Sequence, residues 1–234
     1  MFKERKKNKQ TASRKLVTRD NPKSIVSEQF RTIRTNINFS MPDKKIKTLL
    51  FTSASSGEGK STSAANVAIV FAQEGKRVLL VDADMRKPTM HYTFHKRNPP
   101  GLSNLLSRKF NIEDVVKKTG IPKMDLITCG TIPPNPAELL GSEAMDFFIK
   151  LMKATYDIVI FDAPPVLLVA DTQILSNKCD GTILVISSGV TEKDKILRAK
   201  EVLKSSKANV IGTILNNYKL EKSDYYYQYY GAEE

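Results

Sequence analysis

The segment Ser55-Ser56-Gly57-Glu58-Gly59-Lys60-Ser61-Thr62 puts two glycines, a lysine and several hydroxyls into one short stretch. Residues of these types at this spacing bind polyphosphate. Gly57 and Gly59 let backbone N–H groups turn inward toward phosphate oxygens. Lys60 reaches the β- and γ-phosphates, and the Ser61 hydroxyl is a ligand for Mg²⁺. Ser56, Gly57, Glu58, Gly59, Lys60, Ser61 and Thr62 are therefore candidate nucleotide contacts. The strict pattern has a further glycine upstream, where this chain carries Ser55-Ser56.

Carboxylates follow at two further places. Val78-Leu79-Leu80-Val81-Asp82-Ala83-Asp84 is an apolar run closing on two aspartates, and Ile158-Val159-Ile160-Phe161-Asp162 closes on a third. Buried parallel strands whose C-terminal ends line a site have this form. Mg²⁺ on ATP phosphates needs hard oxygen ligands, often through water. Ser61, Asp82, Asp84 and Asp162 are the candidate set. Each aspartate alone would also suit a turn or a helix N-cap.

These residues need strands and helices to place them. Strands are expected near 48–53, 77–82, 124–129, 157–162, 181–187 and 209–215. Helices are expected near 60–74, 143–154, 171–178 and 192–206. Val26, Phe30, Ile33 and Ile37 form one further helical stripe. The alternation predicts an α/β fold with a mostly parallel sheet flanked by helices. Ile132-Pro133-Pro134-Asn135-Pro136 reads as a rigid connector.

At 234 residues the chain has room for one such domain with a sizeable core. Cys129 and Cys179 show no CxxC spacing, which points to reduced thiols and a cytosolic protein. No apolar run approaches the ~20 residues of a membrane span, and no apolar segment follows the basic N-terminus as in a signal peptide. The net charge is +12, and eight Lys/Arg with one Glu between Met1 and Arg19 supply +7 of it. Residues 1–20 are thus expected to form a basic, flexible arm suited to an anionic lipid surface. No nucleic-acid-binding signature accompanies it, so no specific nucleic acid is expected. His91 and His95, four apart, lack a third ligand and read as surface or packing residues rather than zinc ligands.

The C-terminus is the second unusual feature. Five of the eight tyrosines fall in Tyr225-Tyr226-Tyr227-Gln228-Tyr229-Tyr230. Phenols clustered beyond the last strand are accessible phosphate acceptors. Beside an ATP site, such a tail suggests a tyrosine kinase acting on itself.

At this point the chain resembles a family. From about Asn21 to Gly231 it is similar to the bacterial tyrosine kinases, in the free-standing form of Gram-positive capsule and exopolysaccharide systems. Asp82-Ala83-Asp84-Met85-Arg86-Lys87-Pro88 looks like the family's Walker A′ element, and Asp162-Ala163-Pro164-Pro165 like its Walker B. Glu28-Gln29-Phe30-Arg31-Thr32-Ile33-Arg34 matches its E-x2-R-x2-R oligomerisation motif. The tyrosine run matches its autophosphorylation cluster, and Pro133 to Leu140 is similar to a further family segment.

The resemblance implies a P-loop NTPase fold of the deviant Walker, partitioning-ATPase-like type, with ATP/ADP and Mg²⁺ as cofactors. It implies a basic arm over 1–20, a kinase domain over 21–217 and a tyrosine-rich tail over 218–234. Lys60 would hold the β/γ-phosphates, Ser61 and Asp162 would organise Mg²⁺, and Asp82 and Asp84 would complete the metal shell. Of these two, Asp82 rather than Asp84 would be the base toward the incoming tyrosine. Asn216 or Asn217, after the last strand, would read the adenine edge. Tyr225, Tyr226, Tyr227, Tyr229 and Tyr230 would accept phosphate, and Glu28, Arg31 and Arg34 would join neighbours in a homo-oligomeric ring. The implied partners are a transmembrane polysaccharide co-polymerase adaptor, a cognate protein-tyrosine phosphatase and protein substrates of polysaccharide synthesis. The implied location is cytoplasmic, peripheral to the membrane through the adaptor. The alternative is a regulatory ATPase of the partitioning or septum-positioning kind. Those relatives carry a lysine where this chain has Ser55, and they lack the tyrosine run. A subunit that binds ATP only to change oligomeric state is a third reading, against which Lys60, Asp82, Asp84 and Asp162 all argue.

Overall fold

Apolar runs that close on aspartate are strands here, and they lie side by side. The computed structural model describes residues 15–41 and 46–219. The first part carries α1 (Val17–Asp20), α2 (Ile25–Phe39), β1 (Thr48–Ser53), α3 (Lys60–Gln73), β2 (Val78–Asp82) and α4 (Met90–Thr93). Then come α5 (Leu102–Leu106), α6 (Ile112–Val115), β3 (Val116–Lys118), β4 (Met124–Ile127), α7 (Pro136–Gly141) and α8 (Glu143–Thr155). The last part has β5 (Ile158–Asp162), α9 (Asp171–Lys178), β6 (Gly181–Ser187), α10 (Lys193–Ser205) and β7 (Val210–Asn216).

The seven strands form one sheet in the order β3-β4-β2-β5-β1-β6-β7. Every pairing is parallel except β3 with β4. All six expected strands and all four expected helices are present. β3 was not expected. Its Val116-Lys117-Lys118 is too short and too charged to read as a strand, and it sits at the sheet's edge, where lysines are tolerated.

The central strands are buried on both faces, so their sequences are continuously apolar rather than alternating. Successive side chains still point to opposite layers. Leu49, Phe51, Val78, Leu80, Ile158 and Ile160 pack on the α2–α3 side. Leu50, Leu79, Val81, Val159 and Phe161 pack on the α5–α8 side. Helix α3 is buried from Ala64 to Ala72, because α1 and α2 cover the face that the sheet leaves open. That is why its apolar residues run all round it.

Two expectations about the N-terminal region are corrected. Residues 1–14 lie outside the described residues, but Leu16 and Thr18 are fully buried, so a flexible arm does not extend to residue 20. The Thr18 N–H and hydroxyl both donate to Asn66 Oδ1, at 3.0 and 2.8 Å, and Asn66 Nδ2 donates to the Lys15 carbonyl at 3.2 Å. One buried amide on α3 thereby satisfies a short polar segment that has no apolar periodicity of its own. In α2, Phe30, Ile33 and Ile37 pack on the core as the stripe requires. Val26 remains 47% exposed. It lies in the first turn of α2, and the core ends below it.

Candidate functional site

Strand order does most of the assembly. β5 lies between β1 and β2, and register places Asp162 opposite both Phe51 and Asp82. Asp82 and Asp162 are therefore level at the C-terminal edge of adjacent strands. The glycine loop leaves β1 at the same edge and enters α3 directly at Lys60. Gly57 and Gly59 have φ of 87° and 95°, a backbone conformation that L side chains rarely adopt. The backbone thus curls as a phosphate cradle requires, with the positive end of α3 behind it.

Lys60 is the hub. Its ammonium donates to Asp84 Oδ2 at 2.9 Å and to Asp162 Oδ1 at 3.3 Å, and it lies 3.3 Å from Ser61 Oγ. Burial pulls its proton affinity down, but the charges of Asp162 and Asp84 outweigh that and hold the lysine above its ordinary pKa. Asp84 behaves oppositely. Burial would raise it, but Lys60 and the N–H groups of Lys87 (2.9 Å) and Arg86 (3.3 Å) hold it below the usual carboxylate range.

Asp82 is fully buried, with Oδ2 accepting from the Thr89 and Met90 N–H groups at 2.9 Å each and Oδ1 from the Asp84 N–H at 3.2 Å. Burial first, and the charge of Asp162 second, push it up to about 7. Three carboxylates thus share one ammonium. That excess of negative charge fits a divalent cation beside phosphate. No three His, Cys, Asp or Glu groups converge on one metal position among the described residues. A bound Mg²⁺ would therefore complete its shell with phosphate oxygens and water, the usual habit of this ion.

A cavity of about 410 Å³ opens over this cluster. Ser56, Gly57, Gly59, Lys60 and Ser61 line one side, and Asp84, Arg86, Lys87 and Thr89 another. Pro164, Pro165, Leu168 and Val169 close it with apolar surface. Asn216 comes in from the end of β7 and donates to the Glu58 carbonyl at 3.0 Å. A Cβ at Gly59 would meet the Asn216 amide nitrogen at 2.0 Å, so glycine is required there for spacing as well as for φ.

Glu58 differs from expectation in one respect. Its side chain turns away from the cradle, is 3% exposed and accepts from the Ala54 and Ser55 N–H groups at 3.2 and 3.0 Å. Only its main chain is available to a nucleotide. Burial raises its pKa against the lowering effect of Thr191 and those N–H groups.

The expected oligomerisation residues divide. Arg31 bonds Glu28 within the exposed helix surface and donates to the Pro22 carbonyl at 2.7 Å. Arg34 faces inward, donating to the Val70 carbonyl at 3.2 Å and pairing with Glu74 at 3.5 Å. It caps the C-terminal end of α3, where a cation is favoured. His91 lies against Tyr92 with ring centroids 3.8 Å apart, as a packing residue. The tyrosines 225–230 lie outside the described residues.

Two features escaped sequence reasoning. Arg86 Nε and Nη2 donate to the two oxygens of Asp171, at 3.0 and 2.9 Å. Thr52 and Thr172 hydroxyls both donate to the Pro164 carbonyl, at 2.7 and 2.5 Å, fixing the turn after Asp162. Asp171 and Thr172 open α9, and only their contacts with Arg86 and Pro164 reveal them.

Known proteins share this fold. The AAA domain family matches residues 46–191. Over 221 residues the chain is 51% identical to tyrosine-protein kinase YwqD of Bacillus subtilis (strain 168), covering 94% of this chain and 93% of that protein. It is 40% identical to the putative tyrosine-protein kinase CapB of Staphylococcus aureus, covering 93% and 96%. The crystal structure of the chimerical protein CapA2B2 superposes with a TM-score of 0.85 at 40% identity, covering 88% of this chain and 90% of that one. A septum site-determining protein MinD with Mg-ADP, from Pyrococcus horikoshii OT3, is 22% identical with a TM-score of 0.64, a likeness of fold alone.

Proposed function

The chain belongs to the bacterial tyrosine-protein kinases, and on that premise we propose that it transfers the γ-phosphate of Mg-ATP to its own C-terminal tyrosines, between subunits of a ring. One observation carries the reading: the Lys60 ammonium rests between Asp84 and Asp162 at the phosphate cradle. Without nucleotide, Lys60 neutralises these carboxylates. With ATP bound, Lys60 would pair with the β/γ-phosphates, and Ser61, Asp84 and Asp162 are the residues that would hold Mg²⁺. The ion supplies charge neutralisation on the phosphates.

The protein's own work is then positioning and proton handling. Asp82, with a pKa lifted toward neutrality, is suited to accept the proton of an incoming tyrosine hydroxyl, itself near pKa ~10. Asn216, beside the cradle at the end of β7, is the candidate for the adenine edge. Tyr225, Tyr226, Tyr227, Tyr229 and Tyr230 are the acceptors. Glu28 and Arg31 offer exposed groups to a neighbouring subunit. Arg34 contributes by fixing α2 to α3.

The wider setting rests on the family resemblance. The kinase regulates capsular or exopolysaccharide synthesis, is activated by a transmembrane co-polymerase adaptor, acts on proteins of that synthesis and is reversed by a cognate phosphatase. Among the described residues no helix is long and apolar enough to cross a membrane. Association with the membrane would come through the adaptor.

The test uses γ-labelled ATP and Mg²⁺ with and without an adaptor peptide. Truncation after Glu221 should remove most protein-bound label and leave ATP binding intact. Label released only as free phosphate, with every tyrosine unmodified, would favour a regulatory ATPase instead.

A further inference from the structure

We propose that Arg86, held in place by Asp171, recognises a carboxylate flanking the acceptor tyrosine, with Asp224 as its partner in the tail. The proposal rests on the tail being the acceptor.

Arg86 leaves the β2 edge two residues after Asp84 and lines the cavity. Its side chain is 44% exposed, while Asp171 is completely buried. Asp171 takes two parallel N–H bonds from the guanidinium. This is the planar, two-point grip that fixes an arginine's orientation. The main chain is fixed too, through the Arg86 N–H to Asp84 Oδ1 at 3.3 Å. A guanidinium has five N–H donors, and the fork uses two. The other three have no partner among the described residues. They are held open at the cavity rim, beside the exposed Lys87.

Position separates this rim from the phosphate cradle. The cradle follows β1 and Arg86 follows β2, with β5 between them. Two strand spacings amount to ~10 Å. The cradle already has Lys60, its own N–H groups and the α3 terminus for phosphate. A second positive site on the other wall suits a different anion. The acceptor segment supplies one: Asp224 directly precedes Tyr225. A carboxylate one residue before the tyrosine would anchor the chain while the phenol enters between Asp82 and the phosphates. Asp171 is thus a positioning residue, acting only through Arg86.

The experiment is a double-mutant cycle on the full-length protein, following phosphate at Tyr225 by mass spectrometry and nucleotide affinity with a fluorescent ATP analogue. Arg86→Gln and Asp224→Asn should each slow labelling about tenfold, the worth of one charge-assisted pair. Together they should also slow it about tenfold, not a hundredfold. Asp171→Asn should slow it similarly and lose sensitivity to Asp224→Asn. Nucleotide affinity should not change in any variant. If Asp171→Asn does not fold, the Arg86/Asp224 cycle decides alone. Additive losses, or unchanged labelling in Asp224→Asn, would overturn the proposal and leave the kinase reading standing. Loss of nucleotide affinity in Arg86→Gln would reassign the guanidinium to ATP and also overturn it. A parent chain that never labels its tail refutes the acceptor reading, and this proposal with it.

Discussion

Asp82→Asn separates the chemistry of the site from its stability. Asp82 accepts three backbone N–H groups in full burial. An asparagine can keep its carbonyl on Thr89 and Met90, but its amide then opposes the Asp84 N–H. One buried hydrogen bond is lost, at about 1–3 kcal/mol. Against this, the variant removes a carboxylate whose ionisation is disfavoured by burial and by Asp162. Raising Asp82 from 3.8 to about 7 corresponds to about 4 kcal/mol of destabilisation in the fully ionised, nucleotide-free protein. The sign follows from proton uptake. Between these two pH values the folded state binds more protons than the unfolded state, so stability falls as pH rises. Below pH 3.8 this contribution vanishes, and above pH 7 it is complete. Urea unfolding of nucleotide-free protein at pH 5 and pH 7.5 measures it. Asp82→Asn should improve relative to the parent by about 3 kcal/mol between those conditions, while autophosphorylation falls more than about a hundredfold. A stability difference that does not change with pH would refute the account of Asp82. So would near-normal phosphotyrosine in the variant.

Asn66→Ala should destabilise the fold by about 2–4 kcal/mol in urea, because it strands two buried Thr18 donors and the Lys15 carbonyl. Arg34→Ala should lower stability by about 1 kcal/mol through lost contact with Val70 and Glu74, whereas Arg31→Ala should stay within about 0.5 kcal/mol and lose ring assembly in light scattering. Phosphates on five tail tyrosines add about −8 to −10 charges at −1.5 to −2 each, against +12 on the chain, so fully phosphorylated protein should scatter as smaller particles than unphosphorylated protein; equal mass would exclude a charge-driven release of the ring.

How much of this was legible depended on the signal each residue leaves. Lys60, Asp82, Asp84 and Asp162 stand out because a glycine loop or an apolar strand ends immediately before them. Parallel strands buried on both faces keep unbroken apolar sequence, so β1, β2, β5 and β6 were readable. The docking of Leu16 and Thr18 was not, since it depends on one amide 48 residues from Thr18. The inward turn of Glu58 was hidden although its partners are local: a glutamate in a nucleotide loop gives no hint that the Ala54 and Ser55 N–H groups will take its carboxylate. Arg34 belongs to a recognisable motif, yet its partner is a carbonyl at the end of α3. The Arg86–Asp171 fork joins positions 85 residues apart and leaves no local pattern.

The most direct test of phosphate transfer between subunits is a mixing experiment read by mass spectrometry. Lys60→Met supplies a full tail without a working site, and the chain truncated after Glu221 supplies a working site without a tail. Incubated separately with Mg-ATP, neither should carry phosphotyrosine on residues 225–230. Mixed, the Lys60→Met chain should acquire it there. A mixture that leaves those tyrosines bare, while the intact parent labels its own, would contradict transfer between subunits.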